Sequence, residues 1–356
     1  MITLTRYLSV RLFRLALGVI LVFTALVQVL DLLDATEDIL KIGAGARGFA
    51  FYILMRLPSI VPEVMPLSIL VATLFTLAVL VRNGEVVCLQ AAGMTIARVM
   101  AFMAPAVLVL ALAHYAISDT LRPSAERRLI AWWAENAVET GGRAGEPVWV
   151  KIDRTVIMIE KVRERGWRLE GVHIYDRDAG DAIALRTVAG LALYEKGGWM
   201  LEDAVVTDWR RGHLNETRPA AGPWTTKLRP GDVLESMMPE ARISVSAARA
   251  VLSGERLSVN ARSVYATALQ RAFAEPLTSF VMLLLAAPVA AARHRGSQAS
   301  RYFLLALGTG LLFLLVDGIT ATLGSAGVIH PILAAWAPSI LFGALGIASV
   351  GRLERP

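Results

Sequence analysis

Cysteine is nearly absent: Cys88 stands alone in 356 residues, so no disulfide can form within the chain and every element must hold by packing. The five histidines, His114, His173, His213, His294 and His330, are too scattered to nominate a metal site, and HExxH does not occur. No Gly-Lys dipeptide is present, which excludes a GxxxxGK[ST] loop for cradling nucleotide phosphates. Low-complexity tracts and a clear internal repeat are also missing, leaving an inverted-repeat transporter without support. No cofactor, metal or catalytic site is therefore expected. One string, Leu323-Gly324-Ser325-Ala326-Gly327 followed by His330, has the form of a serine nucleophile with its base, but a turn at a membrane edge accounts for it more simply.

Apolar sequence is what the chain has in excess, at 55% of residues. Segments 15–33, 64–81 and 99–117 form one triplet, and 276–292, 302–328 and 331–350 form a second. Each is near or above the roughly 20 residues that cross a hydrocarbon layer about 30 Å thick. Ordinary buried helices rarely need such long uncharged runs, so six transmembrane helices in a 3+3 arrangement are expected. The first apolar run is longer than the core of a signal peptide and lacks a small-residue cleavage site, so it is read as a retained span.

Orientation follows from arginine placement. One set of short ends and loops carries Arg6, Arg11, Arg14, Arg82, Arg98, Arg293, Arg295, Arg301, Arg352 and Arg355 against Glu85 and Glu354. The opposite loops carry Lys41 and Arg47, offset by Asp34, Glu37 and Asp38. This is the positive-inside bias, so both termini are expected in the cytoplasm and the charged block of about 118–262 outside it. The net charge of +6 then reflects topology, and nucleic-acid binding is not inferred.

The charged block changes period along its length. Residues 123–140 read as a helix continuing out of the third span, with Ser124 a candidate cap and Gly141-Gly142 a stop. Short β-rich runs follow at 147–151, 155–160, 167–176, 182–188, 191–195 and 199–209, separated by turn signals at 153–154, 165–166, 178–181, 197–198 and 211–212. Segment 224–229 is a further candidate strand. Helical periodicity returns from about 244, with a break at Ser253-Gly254. The expected domains are 1–122 with spans one to three, 123–262 as an inserted all-β sandwich or jelly roll with flanking helices, and 263–356 with spans four to six.

Polar residues inside or beside the spans carry the functional expectation. Arg56 and Glu63 lie in FAFYILMRLPSIVPE at 49–63, on one helical face and about 10 Å apart. Charges at membrane depth cost about 2.5–3.5 kcal/mol each on insertion scales, so they should face protein, water or a polar ligand, or else snorkel to the interface. Pro58, Pro62 and Pro66 predict distortion in the same stretch. Asp31 and Asp317 are expected to mark outer ends, and His114 to be a satisfied interfacial residue. Between spans two and three, Arg82-Asn83-Gly84-Glu85 leads through Val86, Val87 and Leu89 to Gly93. This reads as a short helix at about 84–93, with Glu85 favouring its N-terminus and Gly93 closing it. It would rest on lipid as an amphipathic connector or dock a cytoplasmic protein.

That string resembles the pattern of the LptF/LptG permease family (YjgP/YjgQ). So do RLPSIVPEVMPLSIL at 56–70, LQRAFAEPLTSFVMLLLAAPVAAARHRG at 269–296 and LAAWAPSILFGALG at 333–346. The second-span and last-span strings are closer to LptG than to LptF, with the LptF-type paralogue kept as the alternative. The resemblance implies a polytopic permease of the bacterial inner membrane with a periplasmic β-jellyroll domain. It also implies pairing with an LptF-like permease, docking on an LptB-like ATPase dimer, and handing lipopolysaccharide to LptC/LptA-like jelly-roll proteins. The permease itself would then be non-catalytic, with ATP chemistry supplied by its partner. Arg82, Glu85, Val86, Val87, Leu89 and Gly93 become the ATPase-coupling segment, with Glu85 as a polar contact. Some members place basic residues in the first span to approach lipid phosphates, whereas LVQVLDLLDATED at 26–38 has none. Lys41, Arg47 and Arg56 are therefore the head-group candidates, because an anionic sugar-phosphate needs cationic donors. A secondary transporter and a membrane assembly scaffold remain the other functional classes.

Overall fold

The computed structural model describes residues 2–136, 147–208 and 215–353, apart from 153, 179, 181, 196, 218–220, 227, 232, 234–242, 255–260 and 292–295. Helix α1 spans Ile2–Lys41, α2 spans Gly45–Arg82, and the short α3 spans Glu85–Ala91. Helix α4 (Ile96–Ala116) runs through one π-helical turn, Ile117–Leu121, directly into α5 (Arg122–Asn136). Seven strands follow: β1 Val148–Ile152, β2 Thr155–Arg163, β3 Arg168–Arg177, β4 Ile183–Glu195, β5 Gly198–Asp208, β6 Asn215–Thr217 and β7 Ala221–Trp224. The chain then forms α6 (Val245–Leu252), α7 (Arg262–Leu285), α8 (Gly296–Ser325) and α9 (Pro331–Leu353). Among the described residues six helical stretches are long and apolar enough to cross a membrane, and the β domain is inserted between the third and the fourth. The chain is thus a helical polytopic membrane protein carrying an inserted β domain.

The helices outrun the apolar segments that announce them. At 1.5 Å per residue the 38 residues of α2 extend about 57 Å, well beyond one hydrocarbon layer. Helical hydrogen bonds are satisfied within the segment whether its side chains are apolar or charged, so a span continues into water until a turn ends it. Pro58, Pro62 and Pro66 all sit inside α2 without breaking it, since each removes a single backbone donor. Ser124 does not cap a helix start, because α5 has none of its own there; its hydroxyl donates to the Leu121 carbonyl at 2.8 Å. A helix start is capped at Ser244, which accepts from Ala247 N, while the Asp119 carboxylate accepts from Val245 N at 2.9 Å. The end of α4 is thereby tied to the start of α6 across the whole insertion.

The membrane bundle packs around α2, the most enclosed span, whereas α1 and α8 are the most exposed. Leu70, Leu74, Leu77, Met103, Met282 and Phe313 are among its fully buried side chains. Close approach of α9 to α7 depends on Gly346, where an added Cβ would lie 2.7 Å from Leu284 Cβ and 3.3 Å from its backbone.

In the β domain the strands pair antiparallel in the order β1-β2-β3-β4-β5-β6, with β7 also on β5. One row crosses four of them: the paired residues on either side set Glu160 across from Gly171, Gly171 across from Gly190, and Gly190 across from Asp203, with the ladder pairing interrupted at all three. Along this row the alternation of buried residues slips by one. Ile157 and Ile159 of β2 face inward, then Val162 packs against the same core. Val172 and Leu169 of β3, Ala189 and Ala192 of β4, and Ala204 and Leu201 of β5 behave alike. Gly171 (φ 65°) and Asp203 (φ 52°) take left-handed backbone here. A pleat slip shared by neighbouring strands creases the sheet, as bulges and glycines do singly, and both halves then share one core. Trp199 lies in that core with Nε1 donating to the Leu228 carbonyl at 2.8 Å. The expected stop at Gly141-Gly142 and the turn at 211–212 lie outside the described residues.

The crease makes a prediction. Gly171→Ala should destabilise the β domain by about 1–2 kcal/mol, chiefly through the left-handed backbone, because the neighbouring Glu160 side chain is half-exposed and can swing aside. Limited proteolysis of the detergent-solubilised full chain checks it, and unchanged protection of the β domain would contradict the crease.

Candidate functional site

The connector between α2 and α4 is built from two glycines and two aliphatic anchors. Gly84 precedes α3 with φ 73°, and Gly93 follows it with φ 79°, so the chain reverses sharply at both ends. Val86 is buried in the bundle core and Leu89 packs against it. Val87 and Cys88 face outward, as does Arg82 at the end of α2. Glu85 at the first turn is bound to α1: Arg11 Nη1 donates to Oε1 at 3.3 Å and the Tyr7 hydroxyl to Oε2 at 3.2 Å. Asn83 Nδ2 donates to Oε1 as well, at 3.2 Å. Arg11 in turn donates to the Tyr7 hydroxyl at 2.6 Å. Helix α3 is therefore tied to the first span through a charge-assisted contact, with Tyr7 and Arg11 as partners that the sequence did not suggest.

Arg56 and Glu63 share a face of α2 but join different networks. The Arg56 guanidinium holds Asp31 of α1 with two nitrogens: Nε lies 3.1 and 3.0 Å from the carboxylate oxygens and Nη2 2.5 Å from Oδ1. The Tyr52 hydroxyl donates to the same carboxylate at 2.8 Å. Glu63 accepts from Arg122 of α5 at 3.0 Å, and Arg122 Nε also donates to Glu126 at 2.8 Å, where the Ser59 hydroxyl adds a bond of 2.9 Å. Arg122 and Glu126 are buried. Of the other two head-group candidates, Lys41 pairs with Glu37 at 2.7 Å on the surface, a contact of little energetic weight. Arg47 is exposed and makes no ion pair among the described residues. Phe51, Tyr52, Trp132 and Trp133 cluster at this end, as amphipathic rings do at a membrane interface.

A third network crosses the second half of the bundle. Arg271 of α7 donates to Glu275 at 3.0 Å and to Asp317 of α8 at 2.8 Å. His114 of α4 is buried with Nε2 3.7 Å from Glu275 Oε2, and neither ring nitrogen makes a hydrogen bond. Asp317 is thus a buried partner of a guanidinium, and His114 lacks the hydrogen bonds of the satisfied residue expected. The spacing Arg271-x-x-x-Glu275, like Arg122-x-x-x-Glu126, is the sequence signal that could have found these pairs. The serine–histidine string forms a turn: the Ser325 carbonyl accepts from Ser263 Oγ at 2.8 Å, and His330 Nδ1 accepts from Ile332 N at 3.4 Å. Among the described residues no cluster of metal-ligating side chains occurs.

The sequence that builds this bundle, connector and sheet is similar to known proteins over nearly its full length. E. coli K12 has a protein named Lipopolysaccharide export system permease protein LptG that is 23% identical over 351 residues, covering 95% of each chain. The protein of that name in E. coli O6:H1 gives the same figures. Residues 6–352 match the family described as Lipopolysaccharide export system permease LptF/LptG, and to that family the chain belongs.

Proposed function

We propose that the chain is the LptG-type permease subunit of an ABC transporter that extracts lipopolysaccharide from the outer leaflet of the bacterial inner membrane. It passes the lipid to a periplasmic bridge leading toward the outer membrane. The observation that carries this reading is α3, seated by Val86 and Leu89, presenting Val87 outward, and linked by Glu85 to α1. Such a helix can couple an external motor to a span. The positive-inside bias puts α3 and both termini in the cytoplasm and the β domain in the periplasm. ATP hydrolysis belongs to an LptB-like ATPase dimer, and the permease takes no catalytic step. The exposed apolar faces of α8 and of the later turns of α1, at Leu26, Val29, Leu30 and Leu33, suit an LptF-like permease and the acyl chains held between the two. Edge strand β1 pairs only with β2 among the described strands, leaving backbone groups for strand addition by an LptC/LptA-like jelly roll. Arg47 and Lys41, with Arg56 behind them, are the cationic donors for the lipid head group.

Gentle purification followed by native mass spectrometry tests the assembly. A complex with an ATPase dimer, one homologous permease and bound lipopolysaccharide is expected. Recovery of a lipid-free homodimer would overturn the proposal. Val87→Glu should reduce ATPase capture by roughly tenfold, the loss of one desolvated apolar contact of about 1.4 kcal/mol, while unfolding of the permease stays unchanged. Undiminished capture would remove α3 from the ATPase interface.

A further inference from the structure

A groove of about 920 Å³ opens between the first turns of α1 and the last turns of α2. Its polar wall is Arg6, Arg11 and Arg14 with Tyr7, and its apolar wall is Val10, Leu15, Phe75 and Val79. All four apolar side chains are exposed. Arg6, Val10 and Arg14 recur every four residues on one stripe of α1, with the two arginines about 12 Å apart along the axis. Leu17 and Leu21, both exposed, carry the same stripe onward into the bundle's apolar zone.

Charge decides what fits. Arg11 is engaged by Glu85, whereas Arg6 and Arg14 make no ion pair or hydrogen bond among the described residues. Two guanidinium groups without counter-charges among the described residues therefore sit above an apolar track at the end of the bundle that carries α3. We propose that this groove binds an anionic glycerophospholipid, its phosphate between Arg6 and Arg14 and its acyl chains along Val10, Leu15, Leu17 and Leu21.

A bare phosphate would leave the apolar wall and most of the volume unfilled. A zwitterionic lipid would bring its own cation against two arginines. The anionic lipid satisfies both walls, in the manner of basic pockets between membrane helices. Its head also lies beside Arg11 and Tyr7, the residues that hold Glu85, so an occupied groove buttresses the joint between α3 and α1. The site is separate from any lipopolysaccharide head-group site at Lys41, Arg47 and Arg56, which occupies the other end of α1 and α2. It rests on the proposed orientation only for assigning the lipid to the cytoplasmic leaflet.

The full chain reconstituted in nanodiscs of phosphatidylcholine with one-fifth phosphatidylglycerol, then released for native mass spectrometry, reads the site directly. The wild-type chain should retain phosphatidylglycerol in excess of its share. Arg6→Gln with Arg14→Gln should lower the ratio of retained phosphatidylglycerol to retained phosphatidylcholine by roughly fivefold for each arginine removed. Arg6→Lys with Arg14→Lys should keep most of it, which separates loss of charge from loss of fold. Equal retention by the wild-type chain and the double glutamine variant would overturn the proposal. So would full displacement of the lipid by millimolar inorganic phosphate, which would make the occupant a free anion. None of these readings needs an ATPase or lipopolysaccharide, so they succeed or fail independently of the transport proposal.

Discussion

Replacing Arg271 by Met is expected to lower the stability of the permease by about 3–5 kcal/mol, the usual cost of stranding a buried charge. Arg271 is bonded to both Glu275 and Asp317, and both carboxylates are buried among α4, α7 and α8. Without it, two like charges face one another with His114 alongside and little water to screen them. The loss should appear as a lower unfolding temperature in detergent and less monodisperse protein. The triple substitution Arg271→Met, Glu275→Gln and Asp317→Asn should recover most of it, because removing all three charges also removes the cost of burying them. A single Arg271→Met variant within about 1 kcal/mol of the parent would show that the network contributes little to packing.

The same network shows where sequence reading stops. The six spans and the β insertion were legible because length and period are local properties, seen in segments such as 64–81 and 155–160. Helix ends were not, since Arg6 and Arg11 continue α1 as readily as Leu15 does. The continuous passage from α4 into α5 was legible as a helix running on out of the third span, but the π turn that joins them was not, because such a turn has no composition signal of its own. Gly171 and Gly190 were visible as strand glycines, but the row they form with Glu160 and Asp203 exists only once three registers are known. Long-range partners were least legible. Glu85 reads as a helix-start acid, and nothing nearby announces Arg11, 74 residues away. Arg56 reads as a cation that must face protein, water or a polar ligand, or snorkel, and Asp31 is named as its partner only once α1 and α2 are brought together.

That pairing supplies the second large effect. If Arg56 contributes to head-group capture, Asp31 competes with the ligand for its Nε and Nη2 donors, and only Nη1 makes no hydrogen bond to a described residue. Asp31→Asn should then raise lipopolysaccharide capture and Arg56→Gln should lower it about tenfold, the scale of one charge-assisted contact. The double variant should resemble Arg56→Gln alone, because removing a competitor has no effect once the contested donor is gone. A purely structural pair behaves otherwise: each single substitution leaves a lone charge at membrane depth, both lower stability and capture, and the double variant recovers part of the loss. Site-specific crosslinking to lipopolysaccharide, measured beside the unfolding temperature for all four proteins, separates the two. Adding Arg47→Ala to Arg56→Ala extends the cycle to the exposed cation at the start of α2. Unchanged crosslinking and transport in that variant would remove both arginines from the head-group site. A shared loss would place the competition between Asp31 and the lipid's phosphates at the first contact the lipid makes, with the protein's own carboxylate occupying the donors until a phosphate takes them.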